Sequence, residues 1–524
     1  MDNKGGKVLG TGGFGCVLFP QLKCKDSKLA GKYDENGVSK LMMRKHALEE
    51  MIEIEKIRKL TTNIKNNKEH FLIDNVYSCT PDKLTKANTN NFSKKCKSLS
   101  KKRQINSANI NNKLDLLNII NMPYGGVDLD TFWTNWAKEK NINTKNKIFN
   151  QVNNNLIKLF TEGILGINKI NYFHSDIKGS NILINPDTLQ VKLIDWGLSE
   201  EYNKRTVLDN LIDKPMQFNL PYTSILFTNY TNEIIKYFVN IRNKNKANIN
   251  RYELMKYVAF AIQSRVHKEI GDGHINFIKL ILKTAHKHRI KDNELNKYID
   301  NIIIKYLTEP LIKYVDSNNK FNQDKYFKEV YSKNLDVWGF LISYLEIALQ
   351  EKNPWSNILS SKILTIIMNY CFNSKYSVKP IPVNDVLSDL KSCNDLLLKK
   401  INSKMAGLTS LPFLHVGNIL GYKSRSNRIT KKSRSKKKQN LFNLSAMRYL
   451  LKKQSSSKKK TTTKKKSSSK KKTTTKRRST TKRRSTMKRK SSSKRKSSSK
   501  RKSGSKRKSG SKRKSSSKRK STSI

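Results

Sequence analysis

The chain has 524 residues and a formal net charge of +67, so it exceeds one ordinary domain and is strongly basic. It has no apolar run of membrane-span length and no apolar leader at its start, which predicts a soluble intracellular protein without a membrane partner. Residues 423–524 contain 45 Lys and Arg but no Asp or Glu, whereas residues 1–422 contain all 40 acidic residues. This contrast predicts a folded body followed by a disordered basic tail.

The first part of the body has the pattern of a small β-rich unit. Residues 5–41 form short apolar segments broken by glycine, and residues 47–60 show the apolar spacing of an amphipathic helix. Residues 80–113 are polar and rich in Lys, Asn and Ser, which predicts an inserted surface loop. The apolar residues 114–122 then predict a buried strand.

Most of the remaining body is helical by pattern. Helical spacing covers residues 148–170, and two short strands are predicted at residues 182–184 and 191–194. Residues 229–332 carry no assignable motif and are interpreted as a helical insertion. Within that insertion the clearest helical patterns lie at residues 252–262 and 275–282.

This order of elements predicts an α+β fold. The small β-rich lobe occupies residues 1–122, and the larger helical lobe occupies residues 123–422. The cysteines show no C-x-x-C pair and no histidine cluster at metal-ligand spacing, which favours a reducing compartment. The six cysteines are Cys16, Cys24, Cys79, Cys96, Cys371 and Cys393.

A glycine-rich turn between two predicted strands is the first candidate binding motif. Phosphate groups need close approach of backbone N–H groups, which side chains would block. The motif is weak on its own because glycine-rich hairpins without a ligand are common, and a following strand argues against a Rossmann loop. The candidate nucleotide-contacting residues here are Gly10, Gly12, Gly13, Phe14, Gly15 and Val17.

Lys40 lies in a short predicted strand after this turn. A lysine in a strand is commonly a solvated edge residue. After a phosphate-binding turn it can instead reach the α- and β-phosphates while a helix glutamate holds its ammonium group. Glu53 is the favoured partner because apolar residues follow it at +4 and +7, with Glu50 and Glu55 as alternatives.

The most specific pattern is His174-Ser-Asp-Ile-Lys-Gly-Ser-Asn-Ile-Leu183, followed by Val191-Lys-Leu-Ile-Asp-Trp-Gly197. Phosphoryl transfer requires a carboxylate near the attacking hydroxyl, a cation near the γ-phosphate and oxygen ligands for Mg²⁺. A loop whose polar residues only cap turns would not need this spacing between apolar strands. The candidates for the three roles are, in that order, Asp176, Lys178, and Asn181 with Asp195.

In these motifs the chain resembles the eukaryotic-type protein kinases, over most of residues 5–400. The resemblance implies a bilobal fold with ATP in the cleft, Asp176 as catalytic base, and Asn181 with Asp195 as ligands of Mg²⁺, or alternatively Mn²⁺. It also implies that Lys40 pairs with Glu53. The residues around the adenine ring would be Val17, Val38, Leu183 and the hinge residue Met122.

A second segment resembles the kinase helix beneath the catalytic loop. The resemblance implies that Asp336 of Leu335-Asp-Val-Trp-Gly339 holds the backbone near His174 and Ser175. The same aspartate could also be a helix N-cap.

A narrower resemblance is to the divergent protein kinases of large DNA viruses. It rests on the F-P-x-L-x-C that trails the glycine motif, on residues 216–222 and on Gly271-Asp-Gly-His274. It implies a viral factory in the host cytoplasm, the nucleus or the virion as the location.

Three departures from the kinase pattern concern regulation and substrate binding. Ser175 stands where such kinases carry the arginine that binds an activation-loop phosphate, so gating of that kind is not expected. Trp196 replaces a phenylalanine and can still pack behind the metal site. No A-P-E follows Asp195, and residues 219–222 occupy that region instead, so no peptide preference is carried over.

The sequence therefore predicts a serine/threonine protein kinase that uses Mg·ATP, with Lys178 favouring Ser or Thr as acceptor. The alternatives are a small-molecule kinase of the aminoglycoside or choline type, and a scaffold with an inactive kinase fold. From Ser455 on, the tail alternates hydroxyl and basic triplets every six residues. This repeat predicts binding of nucleic acid or another polyanion, and makes the tail a candidate substrate of the chain itself.

Overall fold

The computed structural model describes residues 7–11, 14–202, 217–228, 236, 255, 273–286, 290–316, 320–349 and 357–399. The tail, Gly12, Gly13 and the predicted helix at 252–262 lie outside these residues, apart from residue 255. The described residues form a β-rich N-terminal lobe and a helical C-terminal lobe, so the α+β kinase-like fold is confirmed. Within these ranges, no helix is both long enough and apolar enough to cross a membrane.

The N-terminal lobe is built on an antiparallel five-stranded sheet with the order β1–β2–β3–β5–β4. Alternate side chains of the strands point to opposite faces of the sheet, and both faces are buried. Met42 and Ile120 pack in the main core, whereas Leu41 and Ile119 pack in a second cluster on the other face. The strands are β1 (Lys7–Thr11), β2 (Gly15–Phe19), β3 (Gly37–Met43), β4 (Tyr77–Cys79) and β5 (Leu117–Pro123).

Three helices of this lobe precede β4 in the chain: α1 (Ser27–Ala30), α2 (Arg44–Leu60) and α3 (Asn67–His70). The amphipathic helix predicted at residues 47–60 is confirmed as α2, which begins three residues earlier. Its buried residues are Ala47, Ile54 and Ile57, at the spacing of one helix face.

Residues 80–113 are not a surface loop, and the prediction for them was wrong. They form α4 (Lys86–Thr89), α5 (Phe92–Lys95), α6 (Lys97–Ser100) and the 3₁₀ turn Ile110–Asn112. We call residues 80–113 the capping segment because they cover the outer face of the sheet. Its apolar residues are fully or almost fully buried, but they are too sparse among Lys and Asn to produce a periodic pattern. They are Leu84, Phe92, Cys96, Leu99, Ile105 and Ile110.

Four of the six cysteines form disulfides, contrary to the expectation of reduced thiols. Cys16 on β2 is bonded to Cys96 of the capping segment, and their Cα atoms are 5.5 Å apart. Cys24 is bonded to Cys79 on β4, with a Cα separation of 5.8 Å. The pairs are 80 and 55 residues apart in sequence, so spacing gave no signal for them. Cys371 and Cys393 are buried and free.

The first part of the second lobe combines long helices with short strands. The helical pattern at residues 148–170 is confirmed by α8 (Ile142–Lys158), the π-helical turn Leu159–Ile164 and α9 (Leu165–Lys169). Helix α7 (Leu129–Trp136) precedes them. A three-stranded sheet has the order β6–β8–β9, and a separate pair joins β7 to β10. These strands are β6 (Val127–Asp128), β7 (Tyr172–Phe173), β8 (Ile182–Ile184), β9 (Val191–Leu193) and β10 (Glu200–Glu201).

The rest of the described lobe is helical, and the prediction for residues 275–282 is confirmed by the helix Gly273–His286. Helix Ile358–Tyr370 begins at Asn357, whose side chain accepts the N–H groups of residues 359 and 360. The π-helical turn Phe327–Tyr331 leads into the helix Ser332–Ile342. The other elements are Asp292–Tyr314, Gln323–Tyr326, Leu345–Leu349, Val383–Lys391 and the 3₁₀ turns Leu114–Leu116, Gly179–Asn181, Tyr222–Phe227 and Ser374–Ser377.

Candidate active site

The loop between β7 and β8 is fixed from beneath by one buried carboxylate. Asp336 accepts the backbone N–H groups of His174 at 2.9 Å and Ser175 at 3.0 Å, as the sequence predicted. Its Oδ2 also accepts from Asn168 at 2.7 Å. The N-cap alternative was wrong, because Asp336 lies inside the helix Ser332–Ile342. The carboxylate therefore determines the position of the catalytic loop.

Close backbone packing reinforces this support. A Cβ atom added at Gly339 would meet the carbonyl oxygen of Ile177 at 2.6 Å, so only glycine lets the helix approach the loop this closely. Ser175 and Asp195 both adopt positive φ, +59° and +69°, which is uncommon for residues other than glycine. Such conformations persist only where the surroundings hold them, and they cluster at functional sites.

Asp176 is the centre of a hydrogen-bonded group. Its Oδ2 accepts from Lys178 Nζ at 2.6 Å and from Asn181 Nδ2 at 3.0 Å. Its Oδ1 accepts from Asn219 Nδ2 at 3.0 Å. The carboxylate is buried, so charge-assisted bonds of this kind orient it strongly. Three residues predicted to act together are thus brought together.

Asn219 is a site residue that sequence reasoning did not assign. It is 1% exposed and donates to the backbone carbonyl of Ile177 as well as to Asp176. Its segment is anchored from behind, because Trp338 Nε1 donates to the carbonyl of Phe218 at 3.1 Å. The sequence placed it only within residues 216–222, a segment used for the narrower resemblance, and gave no sign of a contact with Asp176.

The cation of the N-terminal lobe is paired with Glu50, so the choice of Glu53 was wrong. Lys40 Nζ lies 2.6 Å and 2.7 Å from the two carboxylate oxygens of Glu50. Packing favours Glu50, because Ile54 and Ile57 follow it at +4 and +7 on the buried face of α2. Glu53 instead lies within reach of Tyr172 on the second lobe, whose pKa is raised by burial and further by the charge of Glu53.

The pKa of Lys40 is raised, which keeps its ammonium group charged. Burial alone lowers this pKa, but Glu50 by charge and hydrogen bonding, and Asp195 by charge, outweigh burial. The electrostatic influence of Asp195 on Lys40 links the two lobes across the site. A charged lysine is what phosphate binding at this position requires.

His174 is held in its neutral form behind the loop. Burial lowers its pKa, although Asp336, Asp176 and Asp195 oppose that effect. Its Nε2 donates to the carbonyl oxygen of Ile194 at 3.1 Å, which joins the catalytic loop to the strand end before Asp195. The histidine therefore has a positioning role.

Trp196 packs behind Asp195, as expected for an aromatic residue in this position. Its ring lies 4.9 Å from the ring of His174 and meets Phe71 edge-on at 5.3 Å. Trp196 is almost fully buried. The larger side chain is thus accommodated between the two lobes.

The two predicted metal ligands fit a divalent cation. Asn181 uses Nδ2 to donate to the carboxylate and the backbone carbonyl of Asp176, so its oxygen Oδ1 is the atom available to a metal. Asp195 follows β9 and is exposed. Hard cations such as Mg²⁺ take oxygen ligands of this type together with phosphate oxygens. In the described ranges, no cluster of three or more His, Cys, Asp or Glu offers another metal site.

The predicted adenine-contacting residues lie on neighbouring strands and on the floor of the site. Val38 on β3 is paired with Met122 on β5, and Val17 on β2 is paired with Lys40. Leu183 on β8 lies beside Gly125, where a Cβ atom would come within 2.7 Å of its Cδ1. A side chain at Gly125 would therefore require the side chain of Leu183 to shift.

The glycine motif has a structural role in the sheet, in addition to the phosphate binding predicted for it. A Cβ atom at Gly15 would clash with the backbone of Leu41, so close pairing of β2 with β3 requires glycine there. Nothing lies within 4 Å of a Cβ atom added at Gly10. Phe14 is 63% exposed and its ring lies 4.9 Å from the ring of His46.

A family model described as "ABC1 atypical kinase-like domain" matches residues 134–213. The matched segment contains the catalytic loop, Asn181 and Asp195, and it does not reach Lys40. The chain is kinase-like. No curated protein matches its sequence.

One side chain and one glycine shape the connection between the two lobes. The chain passes between the lobes after Met122, whose carbonyl oxygen accepts from Gln21 Nε2 at 3.2 Å. Gly126 then adopts a φ of +101°, and a Cβ atom there would clash with the backbone of Ile184. Gln21 was not assigned from the sequence, because it stands at an unspecified position of the F-P-x-L-x-C segment.

Proposed function

We propose that this kinase-like protein is a serine/threonine protein kinase that transfers the γ-phosphate of ATP to protein hydroxyl groups, with Mg²⁺ or Mn²⁺ as the metal. The observation that supports the proposal most is the anchoring of Asp176 by Lys178, Asn181 and Asn219. Bound Mg·ATP supplies the transferable phosphoryl group. The remaining chemistry is positioning and electrostatics, which these residues can provide.

Each residue has one role in this scheme. Asp176 orients the acceptor hydroxyl and takes its proton, and Lys178 stabilises negative charge on the group that is transferred. Asn181 and Asp195 would hold the metal. Lys40, kept charged by Glu50, would hold the α- and β-phosphates.

The acceptor class follows from Lys178 and needs a direct test. Purified protein is incubated with γ-labelled ATP, Mg²⁺ and a basic protein such as histone, and in parallel with an aminoglycoside and with choline. We expect acid-stable label on serine and threonine of the protein acceptor, and loss of most label with Lys40→Ala. Label on the small molecules alone would replace the proposal with the small-molecule alternative.

We also propose that residues 423–524 bind nucleic acid through phosphate contacts and are phosphorylated by the chain itself. Each phosphate on a hydroxyl triplet adds about −1.5 to −2 charge beside a basic triplet, which weakens attraction to a polyanion. Binding of double-stranded DNA and of RNA is measured against salt concentration, before and after incubation with Mg·ATP. Asp176→Asn is the control that cannot phosphorylate.

We expect steeply salt-dependent binding that weakens after phosphorylation only in the wild type. Unchanged affinity despite incorporated phosphate would refute the switch, and binding that salt does not weaken would refute the phosphate contacts.

A further inference from the structure

The capping segment contacts both strands of the glycine-rich hairpin β1–β2. Cys96 is disulfide-bonded to Cys16, the residue directly after Gly15. Two residues further on, Ser98 Oγ donates to the carbonyl oxygen of Gly15 at 3.0 Å and lies 3.3 Å from Thr11 Oγ1. Thr11 is the last residue of β1 and Gly15 is the first residue of β2, so these contacts lie at the strand ends that flank the turn. The segment therefore holds the hairpin where its two strands approach the turn.

Further contacts hold the outer strand. Lys95 Nζ donates to the carbonyl oxygen of Val8 at 3.0 Å, on the strand β1 that forms the edge of the sheet. Val8 is fully buried in the cluster that contains Phe92 and Leu99 of the capping segment. Edge hairpins of this kind are otherwise among the less stable parts of a fold. The covalent bond, the polar contacts and the apolar cluster all restrict the same hairpin.

We propose that the capping segment is a positioning element for the nucleotide, and that the Cys16–Cys96 disulfide makes nucleotide affinity depend on oxidation state. The inference rests on the proposed function, because it assigns the hairpin to phosphate binding. A hairpin held in one conformation loses less entropy when it closes on a ligand, so it binds more tightly. The capping segment acts through Gly15 and Cys16 and does not touch the reacting atoms.

The redox step is an ordinary thiol–disulfide exchange. A dithiol such as dithiothreitol attacks the Cys16–Cys96 bond, and the bond breaks to give two protein thiols. The reagent is oxidised to its cyclic disulfide, so two electrons and two protons pass to the protein. Cys16 and Cys96 are fully buried, so we expect exchange to require local opening of the cluster.

The second disulfide provides a matched control. Cys24 and Cys79 join β4 to the segment after β2, where the backbone N–H of Lys25 also donates to the carbonyl of Thr80 at 3.0 Å. Neither cysteine belongs to β1 or to the glycine motif. Its removal tests the loss of a disulfide from the same lobe without release of the hairpin.

The experiment measures the dissociation constant for Mg·ATP by calorimetry, and the KM for ATP and kcat, in the full-length chain. The variants are Cys16→Ser/Cys96→Ser, Cys24→Ser/Cys79→Ser and Ser98→Ala, the last of which keeps both disulfides. We expect the dissociation constant and KM to rise about tenfold in the first variant, a change of about 1.4 kcal/mol. We expect a rise of roughly threefold in Ser98→Ala, which loses one hydrogen bond. In Cys24→Ser/Cys79→Ser, the dissociation constant and KM should change by less than about twofold. In all three variants, kcat should change by less than about twofold.

Dithiothreitol should weaken binding by the wild type and leave the Cys16→Ser/Cys96→Ser variant unchanged. If the wild type binds Mg·ATP and both the Cys16→Ser/Cys96→Ser and Ser98→Ala variants bind it equally well, this inference is wrong while the proposed function stands. An equal loss of affinity in the two disulfide variants would also overturn it, because the effect would then be one of general stability. A wild type that binds no Mg·ATP would refute the proposed function itself.

Discussion

The catalytic loop and the capping segment are both polar stretches of sequence, yet only the first could be interpreted without a structure. In the catalytic loop, the informative residues are adjacent and each has one chemical role. In the capping segment, the informative residues are isolated apolar and cysteine side chains whose partners are distant in sequence, as Cys16 and Cys96 are at 80 residues apart. Polar composition thus predicts exposure only where the few apolar residues have nothing to pack against.

The largest expected effect is a loss of stability when a buried residue of the capping segment is truncated. It tests whether this segment is a buried structural layer. Phe92 is fully buried in the outer cluster, so Phe92→Ala should lower the free energy of unfolding by about 3–5 kcal/mol. Phe14, which is 63% exposed, is the control, and Phe14→Ala should change stability by less than about 0.5 kcal/mol. Urea unfolding measures both. Equal small effects would mean that residues 80–113 form a surface loop after all.

The next largest effect is a loss of phosphoryl transfer that distinguishes Glu50 from Glu53 on α2. Glu50→Gln removes the charge that pairs with Lys40, and phosphoryl transfer should fall about 10- to 100-fold, the range expected for a charged hydrogen bond. Glu53→Gln is the matched control because it changes the same chemical group one turn further along α2. Initial rates at saturating acceptor provide the comparison. A larger loss in Glu53→Gln would restore the pairing that the sequence favoured.

A smaller loss of activity is expected when Asn219, which contacts the catalytic loop, is replaced. Asn219→Ala removes the donor to Asp176 Oδ1 but leaves Lys178 and Asn181 in place. We expect kcat to fall about tenfold with little change in the KM for ATP, since the lost bond orients the acceptor side. Steady-state kinetics separates the two constants. A change in KM alone would show that Asn219 does not orient the carboxylate.

Much of the site was predictable because short-range spacing determines it. Asp176, Lys178 and Asn181 lie within six residues, and a loop between two short strands brings them together without long-range information. Asp336 could be added because the helix around it resembles a known support. Asn219 could not, because its contact depends on how a divergent segment folds back over the loop.

The pairing of Lys40 illustrates the limit within one helix. Three glutamates of α2 lie within six residues, and the choice among them depends on which residue begins the buried face. That face begins at Ala47, which makes Glu50 the residue directed towards Lys40. The disulfides mark a stronger limit, since cysteine spacing does not reveal partners brought together by the sheet.

The smallest expected effect concerns the contact of α3 with the helical lobe. His70 is buried beside Glu162, 3.2 Å away, and burial lowers its pKa although Glu162 opposes this. The unfolded chain therefore binds the proton more readily, and the folded state loses stability as pH falls below about 6.5. Between pH 7.5 and 5.5 the wild type should lose roughly 2 °C more in Tm than His70→Gln. Parallel losses in both proteins would exclude His70 as the cause.

The central claim is that Asp176 acts as the general base for phosphoryl transfer in this fold. The most direct measurement compares the initial rates of γ-phosphate transfer by the wild type and by Asp176→Asn, with both proteins matched in Tm and in Mg·ATP affinity. We expect a rate about 10²- to 10⁴-fold lower for Asp176→Asn, as loss of a general base requires. Equal rates in the two proteins would contradict it.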